Sequence, residues 1–140
     1  MYEFHGWVSI VADNSDDAGS IVRQGRQSDL VAALEDRIQP LLESPSVFLR
    51  IIRDLNGADH LLVSGLRNHR DDRVLNLFRW IAEHQASSYG LLHIRDDEDA
   101  DGYDNAFVVH ALARGRLTSR IEPNLSPCIP TLEAPLSRRE

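Results

Sequence analysis

At 140 residues the chain is long enough to bury a core without a metal or disulfide, and too short for two comfortable domains. Its 42% hydrophobic and 26% charged content is that of a folded globular domain. The formal net charge is −7, and all fifteen basic residues are arginine; the lack of lysine excludes Schiff-base enzymes, Ser–Lys hydrolases and P-loop phosphate binding, and the lack of a basic excess argues against a nucleic-acid binder.

The first ten residues, MYEFHGWVSI, alternate in part and predict a strand over 3–12, with Trp7 needing cover on its own face. They carry no basic segment and no long apolar run, so no signal peptide is expected; no stretch approaches the ~20 apolar residues of a membrane span. Residues 13–27 have no clear period and predict a long loop. Ser28 can cap a helix over 29–43, with Leu30, Leu34, Ile38 and Leu41 as one stripe and Pro40 near its end. Residues 46–55 predict a strand with Val47, Leu49, Ile51 and Leu55 on one face. Asn56-Gly57 then predicts a tight hairpin turn, because both residues tolerate positive φ, and 60–66 is the return strand.

A second helix is expected over 71–85, striped by Val74, Leu77, Phe78 and Ile81, with Asn68 or Asp71 as its cap. Residues 88–95 and 105–114 predict two further strands. The expected order is β-α-β-β-α-β-β in an α+β domain: a mixed or antiparallel sheet, two helices on one face, a variant of the ferredoxin-like pattern. Residues 1–118 form the domain in this reading, and 119–140, with four prolines, an extended tail packed on it or trailing from it.

The most unusual segment joins the last two predicted strands. Residues 96–104, DDEDADGYD, hold six carboxylates and no base, so they carry −6 of the net −7. Asp97, Asp99, Asp101 and Gly102 match the start of a calcium loop, but Val108 stands where the bidentate glutamate belongs, so no metal site is expected. A solvated hairpin tip and a partner-contact surface are the two remaining readings. Six histidines are present without zinc spacing. His93 and His110, on neighbouring predicted strands, could approach each other and support a small His/Asp-dependent enzyme or metal-binding module. Ser64-Gly65 is not a nucleophile elbow. Cys128 is the only cysteine, which fits a reducing cytosol, and its expected role is tail packing.

Several stretches together carry a family resemblance: Tyr2-Glu3-Phe4-His5-Gly6-Trp7, Val63 through Arg70, Ser88 through Leu92, Ile94 through Asp99, Leu112 through Leu117 and Leu125 through Pro130. The chain resembles the immunity protein 7 family of bacterial polymorphic toxin systems nearly end to end. The resemblance implies an α+β fold, a cytoplasmic protein and a cognate toxin as partner, and brings no catalytic residue. With the acidic loop it gives the working expectation. The chain is a non-enzymatic inhibitor without cofactor or metal that binds no nucleic acid or membrane. It meets a basic toxin surface through Asp96, Asp97, Glu98, Asp99, Asp101 and Asp104, with Tyr103 as an aromatic anchor.

Overall fold

The computed structural model describes residues 1–13 and 19–128. In chain order the elements are β1 (Tyr2–Ile10), α1 (Ser20–Leu42), β2 (Val47–Leu55), β3 (Ala58–Arg67), α2 (Arg73–His84), β4 (Tyr89–Asp96), β5 (Val108–Ala113) and β6 (Arg116–Ile121). The strands form one six-stranded sheet in the order β2-β3-β1-β4-β5-β6, antiparallel at every pairing. No helix among the described residues is long and apolar enough to cross a membrane.

The expected α+β sheet with two helices is present, and the sheet has one strand more than predicted. Arg114 and Gly115 both take positive φ (54° and 73°) and turn the chain after β5, so Arg116–Ile121 pairs back on β5 from Ala113↔Arg116 to Val108↔Ile121. This strand crosses the expected boundary at 118/119. Its sequence, RLTSRI, has little apolar content because it is an edge strand and four of its six residues are exposed. The rest of the expected tail, from 129 onward, lies outside the described residues.

The helices rest on the face to which the even positions of β1 point. Tyr2, Phe4, Val8 and Ile10 join Leu61, Val63, Leu92 and Leu112 from the neighbouring strands and Val31, Leu34, Phe78 and Ile81 from the helices in one buried core. Two glycines make room for rings there. A Cβ on Gly6 would stand 3.2 Å from Phe78 Cζ, and one on Gly65 would stand 2.2 Å from Phe4 Cζ. Each missing side chain is the space that an aromatic ring fills, at a packing density that leaves no slack.

The Asn56-Gly57 turn is as predicted, with φ of 51° and 80° closing the β2–β3 hairpin at Leu55↔Ala58. Leu55 was expected on the inner face and is 55% exposed instead. The register of β2 shifts between Ile52 and Leu55, and Asp54 sits at φ 55°; such a bulge rotates the residues beyond it off their face. The second helix starts two residues later than expected. Its first residue follows Asp72, whose side chain makes no capping bond, while Asp71 accepts from the Arg73 N–H at 3.2 Å.

The first helix begins nine residues before the predicted one, so residues 20–27 are helical rather than loop; residues 14–18 of that predicted loop are outside the described residues. Local signals there are weak, and tertiary contacts decide. Gln27 accepts from the Ala12 N–H at 2.9 Å and donates to Ile10 O at 2.8 Å and Asp59 Oδ2 at 3.0 Å, tying the first turns of α1 to the end of β1.

Asp59 is the hub of that corner. It is buried, and it also accepts from Arg53 Nε at 3.1 Å and from the Asp54 N–H at 2.9 Å. Burial by itself would raise its carboxyl pKa; the Asp54, Gln27 and Arg53 donors outweigh burial and hold it below the ordinary carboxylate value. A depressed folded-state pKa stabilises the fold above the unfolded value near ~3.9 and loses that contribution as pH falls through the folded one. Asp59→Asn should therefore cost about 1–3 kcal/mol at neutral pH. In urea melts, the gap to the unsubstituted protein should narrow as pH is lowered from 7 to 3.

Candidate interaction surface

The acidic loop leaves β4 at Asp96 and is built from side-chain-to-backbone turns, the local bonding that Asp favours over regular structure. Asp96 Oδ1 accepts from the Glu98 N–H at 3.0 Å, and Asp99 Oδ1 from the Asp101 N–H at 2.7 Å. Gly102 takes φ 90°. The N-terminus lies against the loop: the Asp97 N–H donates to Met1 O at 3.1 Å, and the Met1 ammonium pairs with the Asp97 carboxylate. That ammonium bond, more than any other contact, holds the Asp97 pKa below the usual range. Glu98 meets His69 Nδ1 at 2.8 Å.

The seven residues expected to form one contact surface divide between two directions. Asp97 and Glu98 turn to the N-terminus and His69. Asp96, Asp99, Asp101 and Tyr103 turn toward α2 and line a hollow of about 250 Å³ with Tyr2, Arg70, Asp72, Arg79 and His110. Asp104 is exposed between the loop and β5. The hollow thus sets four carboxylates against two guanidiniums, and Arg70 is already engaged by Asp72 at 2.9 Å. The field of this pocket acts on its neutral groups. Tyr2 is pushed up to about 12, by burial first and by Asp72 next. His110 is held below its ordinary value, by burial first and by Arg79 next.

Tyr2, Arg70, Asp72 and Arg79 were not candidates from the sequence, and His110 was one only together with His93. Nothing local places the turn at Arg70 and Asp72 beside a loop some thirty residues later. The expected approach of His93 and His110 is overturned by register. His93 pairs with Val109, and His110 with Leu92. Side chains on a strand alternate faces, so His110 points to the helix side and His93 to the other side of the sheet. No shared His site exists between them.

Two of the acids that would ligate calcium are turned to internal partners: Asp99 to a backbone N–H group and Asp97 to the chain terminus. Val108 is the first residue of β5 and offers only carbon. A calcium ion at a hundred times its dissociation constant would add about 2.7 kcal/mol. Millimolar calcium should instead leave the thermal midpoint where equal magnesium leaves it; a calcium-specific rise would show a site.

The sheet face away from the helices is uncovered over much of its middle. Trp7 is 37% exposed and Phe48 57%. Tyr89 stands edge-on to Trp7, with ring centroids 6.1 Å apart. A hollow of about 430 Å³ is lined by Trp7, Phe48, Leu62, Ser64, His5 and His93. In its wall His5 Nδ1 lies 2.8 Å from Ser64 Oγ and His5 Nε2 lies 2.9 Å from Glu3 Oε1, the donor–acceptor chain of a serine hydrolase. Ser64, however, is in the middle of β3 with β1 and β2 paired on either side. The nearby backbone N–H groups serve those ladders, so none is left to stabilise an oxyanion. The chain of bonds orders the surface.

A family model described as immunity protein 7 matches residues 1–134. No curated protein and no solved structure is detectably similar to the chain.

Proposed function

The chain belongs to the immunity protein 7 family, and on that premise we propose that it binds a cognate toxin domain one to one and blocks it, performing no chemistry of its own. The observation that carries the reading is the charge of residues 96–104, six carboxylates in nine residues presented with Asp97, Glu98, Asp101, Tyr103 and Asp104 exposed. So much like charge on one loop is self-repelling, and a basic partner relieves that repulsion. The partner in this reading is a basic toxin surface, met in the cytoplasm without cofactor, nucleic acid or membrane. Tyr103 stands at the mouth of the hollow as an aromatic anchor. The surplus of carboxylates behind it suits an arginine or lysine side chain of the toxin.

Co-expression with the toxin encoded by the adjacent gene tests this directly. The two products should elute together at equal stoichiometry, and cells carrying both should survive where cells carrying the toxin alone do not. Separate elution together with unrelieved toxicity would remove the reading.

A further inference from the structure

We propose that Cys128 is a modification site: a peroxide oxidises its thiol to a sulfenic acid, and the Arg95 guanidinium holds the oxygen that the sulfur gains. The inference is independent of the toxin reading.

Arg95 stands opposite Glu3 near the end of β4. It shares its sheet face with His93, two residues before it, because side chains alternate along a strand. The chain after β6 returns to this end of the sheet. Ser126 is buried, the Cys128 N–H donates to Asn105 Oδ1 at 2.9 Å, and Cys128 Sγ accepts from Arg95 Nη2 at 2.6 Å. Cys128 itself is exposed, so a small oxidant reaches it from solvent.

Arg95 is short of acceptors. It is only 7% exposed, and its Nε has no hydrogen-bond partner. Glu3 Oε2 stands 4.0 Å from Nη1, beyond hydrogen-bond reach. Buried donors ordinarily find acceptors, and a buried charge most of all. Nε–H and Nη2–H lie along one edge of the guanidinium plane, the edge that takes two acceptor atoms side by side. Beside the thiol, one of these donors meets sulfur and its neighbour meets nothing. An oxygen added to that sulfur is the second acceptor. The edge therefore matches the oxidised cysteine better than the thiol.

The sulfur attacks as the thiolate, the nucleophilic form, its proton having passed to solvent. Its lone pair goes to the outer peroxide oxygen, and the S–O bond forms as the O–O bond breaks. Two electrons leave sulfur. The peroxide is reduced to water, or to an alcohol if it is an alkyl peroxide, its departing oxygen taking a proton from solvent. Arg95 Nε–H donates to the oxygen left on sulfur, a fixed donor aimed where charge develops. Cys128 is the only cysteine, so the chain holds no second thiol to condense with the product. A small thiol in solution reverses the step. It attacks the sulfur and releases water as a mixed disulfide forms, and a second small thiol then displaces Cys128.

The test treats the full chain with dilute hydrogen peroxide in excess dimedone, which traps sulfenic acid, and follows the adduct by intact mass spectrometry. The chain is compared folded in buffer and unfolded in urea at the same pH. Folded Cys128 should be trapped about tenfold faster than unfolded, the factor that ~1.4 kcal/mol of transition-state stabilisation gives. Cys128→Ser should trap nothing, and Arg95→Met should bring the folded rate down to the unfolded one. If Arg95→Met fails to fold, the Arg95 Nε–H resonance of the unsubstituted chain decides by ¹H–¹⁵N NMR. It should move on oxidation, as Nε gains an acceptor, and return when dithiothreitol is added. No adduct at Cys128, or a folded rate at or below the unfolded one, overturns the proposal. So does a folded Arg95→Met protein that keeps the fast rate, or an Nε–H signal that oxidation leaves in place.

Discussion

A protein carrying Asp97→Asn, Glu98→Gln, Asp99→Asn and Asp101→Asn should associate with its toxin on the order of 10- to 100-fold more slowly at low salt, because those four charges supply most of the steering field. The difference should shrink as ionic strength rises, since the screening length is about 8 Å at 0.15 M. Dissociation should separate the two groups of acids. Asp97 and Glu98 are solvent-facing, paired with the N-terminus and His69, and replacing them alone should act mainly on association. Asp99 faces the hollow; if a toxin cation is desolvated there, Asp99→Asn should speed dissociation and cost roughly 2–5 kcal/mol of binding. Stability should move little, because exposed ion pairs contribute about 0–1 kcal/mol each. Stopped-flow binding across a salt series reads all of this. Unchanged rates and salt dependence in the fourfold variant would mean the loop serves only solubility.

Phe78→Ala should do the reverse, leaving the loop intact and taking away about 3–5 kcal/mol of folding stability. That is a large part of the roughly 5–15 kcal/mol that holds a domain of this kind together. Phe78 is fully buried, and its ring lies over Gly6, on the central strand β1. Alanine would leave a void bordered on one side by a residue with no side chain to move into it, so little relaxation can offset the loss. Chemical denaturation should show a lower midpoint. Toxin binding, measured well below that midpoint, should keep its association rate. A loss below about 1 kcal/mol would mean that the α2–β1 contact is not the centre of the core.

What could be read from the sequence was whatever short-range physics decides. Asn56 and Gly57 make a turn because both tolerate positive φ, whatever surrounds them. Helix α2 follows from Val74, Leu77, Phe78 and Ile81 recurring at helical spacing. The density of acids in 96–104 is a property of the chain, as is the family resemblance, which the match over residues 1–134 bears out. The tertiary structure alone decided the rest. Residues 20–27 are helical because Gln27 reaches Ile10 and Asp59, partners 17 and 32 positions away. Residues 116–121 are a strand because β5 offers an unpaired edge, which no pattern in RLTSRI announces. His93 and His110 part company because one register step sends a side chain to the opposite face. The acidic loop became two surfaces because Arg70, Arg79 and the N-terminus lie on different sides of it. Sequence periodicity records which way a residue faces within its own element. Which element stands opposite is set by strand pairing and packing between distant segments, and that information is held by the fold.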